Sequence, residues 1–360
     1  MGINDIIIYI VIFFLIIGAI DKIVGNKLGL GERFTEGFLA MGPLTLAMVG
    51  IISLAPVIAN ILTPIIAPIY QIVGADPATF ANTILAIDMG GYALAKEMAL
   101  TEEAGIFSYV FLGTTMGATI VFTIPVALGM IKKEDQPFFA KGILIGMITV
   151  PIGSLVGGLV GGLSISMIVM NLIPTIFFSV LIGFGLWKYP QKMIAGFTWF
   201  GKGVEIIAII GLTLAIIETL TDITIIPNMT PLSEGIQIVG QIVIFLAGAF
   251  PMVAFIQKVL KKPLAQIGKL LGIDHTATAG LVASLAHSIP MLSILKDMDP
   301  KGKVINVAFA VSAAFVLGSH LGFVAGVEKE MVFSMIVGKL VGGIAAIFLA
   351  TLTFRTTSTT

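Results

Sequence analysis

The sequence predicts an all-α polytopic membrane protein, with about nine full transmembrane helices and two broken re-entrant segments, or about eleven spans if those segments cross. Four observations carry this. Of 360 residues, 57% are apolar and only 11% charged, against roughly a quarter charged in ordinary soluble domains; so few charges cannot cover a water-soluble chain of this length. Apolar stretches recur about every 25 residues, near the length a helix needs to cross hydrocarbon. No alternation over segments of about ten residues suggests an outer-membrane barrel. Lysines, finally, cluster in every second connection, as cytoplasmic loops do.

The elements follow in chain order. Ile6 to Ile20 lacks a basic region before it and a small-residue cleavage site after it, so it reads as a retained first span rather than a signal peptide. Lys22, Lys27 and Arg33 mark the first cytoplasmic loop. Ile61 to Val73, with Pro64 and Pro68, is expected along the interface. Glu97, Glu102 and Glu103 mark the outside, Lys132, Lys133 and Lys141 the inside. After the spans Ser166 to Trp187 and Val204 to Leu220, separated by Lys188, Lys192 and Lys202, come Asp222 and Glu234 outside. Lys258, Lys261, Lys262 and Lys269 return the chain to the inside. Glu328 and Glu330 lie outside, and Arg355 follows the last span inside; the N-terminus is expected outside. One segment breaks the alternation. Ala277 to Leu295 is apolar, yet Lys296, Lys301 and Lys303 repeat the basic flank that precedes it. A re-entrant segment broken at His287-Ser288-Ile289-Pro290 satisfies both flanks; an ordinary span with an unusual charge pattern is the alternative.

That segment has an earlier partner. Gly74-Ala75-Asp76-Pro77-Ala78-Thr79 corresponds to Gly272-Ile273-Asp274-His275-Thr276-Ala277. Each precedes an apolar stretch with a polar, helix-breaking centre, Asp88-Met89-Gly90-Gly91 in one and Ala286 to Pro290 in the other. The copies close on Lys96-Glu97-Met98 and Lys296-Asp297-Met298. Later, Gly153-Ser154-Leu155-Val156-Gly157-Gly158 echoes Gly338-Lys339-Leu340-Val341-Gly342-Gly343. With opposite flanking charge the two copies are inverted, the architecture of secondary transporters with a midplane site. A single transmembrane domain is expected: repeat 1 about 36–163, linking helices about 166–220, repeat 2 about 234–354. The linking spans are candidates for a homodimer interface.

An ionisable group inside the membrane is costly and marks a site. Asp88 is the foremost candidate, an anionic contact for a cationic solute beside two glycines that free the backbone; pairing with Lys141 or Lys339, or capping a half-helix, is its structural alternative. His287 and His320 are candidates for substrate contact or proton coupling, or buried structural donors. Ser288 and Ser319 adjoin them. Asn82 and Thr115 share the Asp88 half, and Tyr92 can set an aromatic face against an ammonium. Lys202 and Glu205 read as a local ion pair. Zero net charge offers nucleic acid no electrostatic footprint, and the absence of cysteine excludes disulfides and thiolate chemistry. Without a Gly-x-x-x-x-Gly-Lys loop, ATP-driven pumping has no phosphate cradle. No cofactor or metal site is expected.

Several blocks resemble the ethanolamine utilisation permease family, EutH: Met1-Gly2-Ile3-Asn4-Asp5-Ile6-Ile7, Glu36-Gly37-Phe38-Leu39-Ala40-Met41-Gly42, Asp88-Met89-Gly90-Gly91, the run from Thr119 to Gly129, the run from Gly302 to Phe315, and Met335-Ile336-Val337-Gly338-Lys339-Leu340. They extend over essentially the whole chain. The resemblance implies a bacterial inner-membrane carrier for ethanolamine, facilitative or ion-coupled, and not an enzyme. It departs at Gly318-Ser319-His320, where the family pattern reads Gly-Asp-His, and at His287-Ser288-Ile289-Pro290, where it reads Asn-Asn-Ile-Pro. Ethanolamine is an alkylammonium at neutral pH, as a lysine amine with pKa about 10.4 would be. On this reading Asp88 holds the ammonium, while Ser319, His320 or His287 bonds the alcohol. A coupled symporter for a nucleoside or amino acid, a membrane-embedded enzyme and a non-transporting receptor stay open as other readings.

Overall fold

A helix satisfies its backbone hydrogen bonds internally, which is the condition for crossing hydrocarbon. Among the described residues every regular element is helical. The computed structural model describes residues 2–355, without the side chains of 187, 190, 194, 260–265, 267 and 355. The topology marks Lys261, Lys262 and Arg355 therefore fall outside the described side chains.

Among the described residues eight helices are long and apolar enough to span. They are α1 (Ile3–Ile23), α2 (Leu30–Gln71), α5 (Glu102–Met130), α6 (Gln136–Val160), α7 (Ile165–Lys188), α8 (Pro190–Thr221), α9 (Leu232–Leu271) and α14 (Val332–Arg355). Between them lie three pairs of short helices. The first pair is α3 (Ala78–Ile84) with α4 (Tyr92–Met98), the second α10 (His275–Ala286) with α11 (Ser288–Ser293), the third α12 (Pro300–Ala313) with α13 (Ser319–Val327). The first two pairs are the segments expected to be broken. The third was expected as one span; its break at Ala314 to Gly318 divides it into two half-helices.

Ile61 to Val73, expected along the interface, continues α2 as far as Gln71, with Pro64 and Pro68 inside the helix. The 42 residues of α2 are not one straight rod: the chain turns at Ala40, winds as π-helix over Thr45–Val49 and carries Pro56, Pro64 and Pro68 within its last part, each a place where a helix can bend. Lys202 and Glu205 form the anticipated ion pair at 2.7 Å on exposed α8.

The centre of the molecule is packed by small residues. A Cβ on Gly153 of α6 would lie 3.0 Å from the Gly342 Cα of α14, and one on Gly338 would lie 3.0 Å from the Gly157 Cα. Such contacts let two membrane helices pack backbone to backbone, where dispersion replaces the missing hydrophobic drive. α12 lies against both helices, its Val307 and Val311 meeting Gly142 and Gly146 of α6.

The entries to the broken segments are pinned by carboxylates. Asp76 accepts from the backbone N–H groups of Ala78, Leu100 and Thr101 at 2.9, 3.0 and 3.1 Å, while the Thr101 hydroxyl caps α5 at Ala104. Asp274 caps α10 at Ala277 and accepts from the Asp299 N–H at 2.5 Å, while Asp299 caps α12 at Gly302. Each carboxylate thus ties the start of its broken segment to the start of the next helix. Charge-assisted bonds of this kind are roughly twice as strong as neutral ones.

Candidate functional site

Three helix breaks meet in the interior. The first is made by extended backbone at Leu85 and Ala86 and by Gly90 at φ 83°, with Asp88 between them. Its carbonyls lie so close to α5 that a Cβ on Gly117 would strike the Leu85 carbonyl carbon and oxygen. The turns of α5 beside it, Ser108–Gly117 and Thr119–Thr123, are wound as π-helix, a form that recurs at functional sites.

The second break is the extended His287, whose Nδ1 accepts from the Ile289 N–H at 3.2 Å and so caps α11. The third turns at Phe315, held at φ 63°, a left-handed conformation that costs a side-chain-bearing residue roughly 1–2 kcal/mol. The second break holds it there: Phe315 N–H donates to the Ser284 carbonyl at 3.0 Å and Leu317 N–H to the Leu285 carbonyl at 2.9 Å. At Gly318 a side chain would collide with the Ala286 carbonyl, so only glycine lets the breaks touch.

A cavity of about 300 Å³ lies where they meet. Its polar wall is Asp88, His287, Ser319 and His320; the rest, including Met89, Ala118, Phe122, Leu246, Phe250 and Phe315, is apolar. Ser319 lies beside the Asp88 carboxylate in this wall. His320 is 1% exposed and its Nδ1 has no partner within the protein. The Phe315 ring lies between the histidines, 4.8 Å from His287 and 4.9 Å from His320, centroid to centroid. A second cavity, of about 390 Å³, shares Phe250, His287 and Ser319 with the first and reaches Arg33 and Glu36, which pair at 2.7 Å on an exposed face. Phe250, His287 and Ser319 thus stand between the Arg33 end of the molecule and the cavity that holds Asp88.

Toward Glu328 the interior is packed with aromatic rings. Tyr92 stacks edge-on against Tyr109 and Phe323, at 5.0 and 5.6 Å between ring centroids, and the Tyr109 hydroxyl donates to the Glu328 carboxylate at 2.7 Å. Of the sequence candidates, Asp88, His287, Ser319 and His320 thus come together. Tyr92 belongs to this aromatic packing instead. Asn82 is buried behind the first break, accepting from Ser108 at 2.9 Å and donating to the Leu85 carbonyl at 3.3 Å. Thr115 donates to the Phe111 carbonyl of its own helix at 2.5 Å. The buried Ser288 hydroxyl lies outside the cavity wall.

Sequence reasoning missed the aromatic walls, Phe122, Phe250 and Phe315, because a phenylalanine in an apolar helix carries no sign of what it faces. It also gave Lys339 only a passing role. Lys339 is 1% exposed, and its ammonium donates to the Thr114 carbonyl in the π-wound part of α5. A charge at the centre of a span costs about 2.5–3.5 kcal/mol even on the gentler scales. Asp88 and His320 both lie in its field. Lys141, the other partner weighed for Asp88, instead lies 4.3 Å over the Phe354 ring.

Interrupted helices meeting around a carboxylate in an interior cavity, in a multi-pass membrane protein, are the construction of a secondary transporter. The family is shown by residues 3–353, which match the one described as Ethanolamine utilisation protein, EutH, and the chain belongs to it. It is 63% identical over 347 residues to the "Probable ethanolamine permease EutH" of Listeria monocytogenes, covering 96% of this chain and 93% of the relative. It is equally similar, at 63% over 346 residues, 96% of this chain and 94% of the relative, to the "Uncharacterized protein YxeR" of Bacillus subtilis. The probable ethanolamine permease EutH of Salmonella typhimurium is 45% identical, with 97% of this chain and 95% of the relative covered. No solved structure matches the chain.

Proposed function

We propose that this protein is a carrier for ethanolamine rather than an enzyme, and that the cavity around Asp88 is its substrate site. The observation that carries the reading is the pairing of one carboxylate with an imidazole nitrogen that has no partner, in a small chamber otherwise walled by hydrocarbon and aromatic rings. A solute with a cationic end and a hydrogen-bonding end a few bonds away answers both groups. Asp88 takes the ammonium; His320 or Ser319 takes the hydroxyl. The rings of Phe122 and Phe315 exclude water and add cation–π attraction. Relatives bearing the name ethanolamine permease support the same substrate.

Transport then needs the path at the Arg33 end to close and the Tyr92 end to open. We read the chain as two inverted repeats, about 36–163 and 234–354, whose relative rocking exchanges those two states.

The test is uptake of labelled ethanolamine into proteoliposomes by wild type and Asp88→Asn. A hydrogen bond to a charged group contributes about 1.5–3 kcal/mol, so the variant should lose roughly 10- to 100-fold in transport efficiency. Saturable uptake that is unchanged in Asp88→Asn removes Asp88 as the anchor, and no uptake by wild type above empty liposomes removes ethanolamine.

A further inference from the structure

We propose that the cleft between the ends of α6, α7 and α8 holds the phosphate headgroup of an anionic phospholipid, with Lys133 and Lys141 as its cationic contacts. The inference does not depend on which solute the carrier moves. The cleft encloses about 480 Å³. Its polar wall is Lys133, just before α6, with Gln136 and Lys141 of α6 and Gln191 of α8; Leu144 of α6 and Leu186 of α7 give it an apolar side. Close packing frames it: a Cβ on Gly183 of α7 would lie 2.5 Å from Leu144 Cδ1, and one on Gly185 would lie 2.6 Å from the Met193 sulfur of α8. No carboxylate lines the cleft. Neither lysine takes part in an ion pair among the described residues. Asp135 is engaged by Lys303 at 2.5 Å, and Glu134 is exposed and outside the wall.

Lys141 carries the argument. It is half-buried, with its ammonium 4.3 Å over the Phe354 ring at the end of α14. The ring orients and attracts the ammonium but brings no net charge, so a partly desolvated cation is left without a counter-ion, which is unfavourable. A phosphodiester answers it. Its two free oxygens accept from Lys133 and Lys141 in charge-assisted bonds, and the amides of Gln136 and Gln191 can donate to the same group. The phosphate belongs to a lipid because the apolar surface continues out of the cleft. Beyond Leu186 the exposed Phe177, Val180 and Leu181 run along α7, so acyl chains have hydrocarbon to lie against, which a soluble phosphate would leave uncovered. Basic pockets between spans bind anionic headgroups in this way. At the adjoining α7–α8 turn, Lys188 and Lys192 each hold an ammonium 5.6 Å over the Tyr189 ring, adding to the attraction.

The experiment titrates full-length protein in detergent micelles with phosphatidylglycerol or phosphatidylcholine and counts bound lipid by native mass spectrometry. Wild type should bind phosphatidylglycerol saturably and prefer it over the zwitterionic lipid by about 30-fold, the sum of two lysine contacts; Lys133→Gln or Lys141→Gln alone should weaken it about fivefold, and the double variant about 30-fold. Lys133→Arg with Lys141→Arg should keep the binding, since arginine also pairs with phosphate. Lys22→Gln with Lys27→Gln, which removes the same charge from an exposed loop away from the cleft, should keep it too. Equal binding of the two lipids by wild type overturns the proposal whether or not any variant folds. So does a Lys22/Lys27 variant that loses as much as the Lys133/Lys141 one, because the attraction would then be general surface charge. Displacement of phosphatidylglycerol by millimolar glycerol phosphate or inorganic phosphate overturns it as well, and assigns the cleft to a soluble phosphate compound.

Discussion

The clearest demand for a ligand at the scale of single residues comes from His320. A buried polar atom without a partner forfeits a hydrogen bond's worth of free energy, about 1–3 kcal/mol, and His320 Nδ1 is such an atom, in the wall of the cavity that holds Asp88. A substrate hydroxyl repairs the deficit; an alkylamine of the same length without the hydroxyl does not. Wild type should therefore prefer ethanolamine over propylamine by roughly tenfold, and His320→Leu should reduce that preference to near unity while still admitting both amines, since loss of one hydrogen bond of about 1.4 kcal/mol is a factor of ten. Competition against labelled ethanolamine measures the ratio directly. A His320→Leu protein that keeps the wild-type preference would give the hydroxyl to Ser319 or His287.

Elements, rather than residues, set which end of the molecule is open. The cavity at the Arg33 end shares Phe250, His287 and Ser319 with the one that holds Asp88, whereas α4, α5 and α13 pack Tyr92, Tyr109 and Phe323 together toward Glu328, with the Tyr109–Glu328 hydrogen bond joining α5 to the C-terminal end of α13; on the carrier reading the first is the open end and the second the closed one. The chain contains no cysteine, so a single introduced thiol reports access without a background. Met89→Cys, in the cavity wall, should react with a membrane-impermeant thiol reagent applied from the Arg33 side and resist it from the Glu328 side. Adding Tyr109→Phe removes a hydrogen bond to a charged acceptor, about 1.5–3 kcal/mol, and should raise labelling from the Glu328 side several-fold or more. Unchanged labelling in the double variant would mean that ring packing alone holds this end shut.

Much of this scale was legible in the sequence, for a physical reason. Asp88-Met89-Gly90-Gly91 and His287-Ser288-Ile289-Pro290 combine residues that cannot continue an apolar helix, so the breaks announce themselves. The third break does not. Ala313-Ala314-Phe315-Val316-Leu317 reads as uninterrupted apolar helix, and what unwinds it is the pair of carbonyls at Ser284 and Leu285, which accept the N–H groups of Phe315 and Leu317. That is a tertiary contact across some thirty residues of chain, and no local pattern encodes it. Tyr92 lies apart from the Asp88 cavity for the opposite reason. Four positions from Asp88, a full helical turn would place it on the same face, but Met89 and Gly90 depart from helical geometry and turn it toward Tyr109.

Over the whole molecule, the proposed inverted repeat makes a claim about geometry that the separate elements do not. Pair residues by the sequence echo, Gly153 with Gly338 and Gly157 with Gly342. The close contacts then join Gly153 to the Gly338 carbonyl and, crosswise, Gly153 to Gly342 and Gly157 to Gly338, a set that a two-fold axis between α6 and α14 permits. The carboxylate ties agree: Asp76 holds the Thr101 N–H and Asp274 the Asp299 N–H, each pair separated by 25 positions. The charges do not obey the axis. Lys339 pairs by sequence with Ser154, so the buried lysine of α14 has no charged counterpart on α6. An experimental structure should superpose residues 36–163 on 234–354 after a rotation near 180° about an axis in the membrane plane. In the opposite transport state the rings of Tyr92, Tyr109 and Phe323 should part while the path from Arg33 and Glu36 closes, with the α6–α14 glycine contact preserved as the pivot. A rotation far from 180°, or a glycine contact that separates between the two states, would exclude rocking about this axis and leave local unwinding at the three breaks as the way the site changes sides.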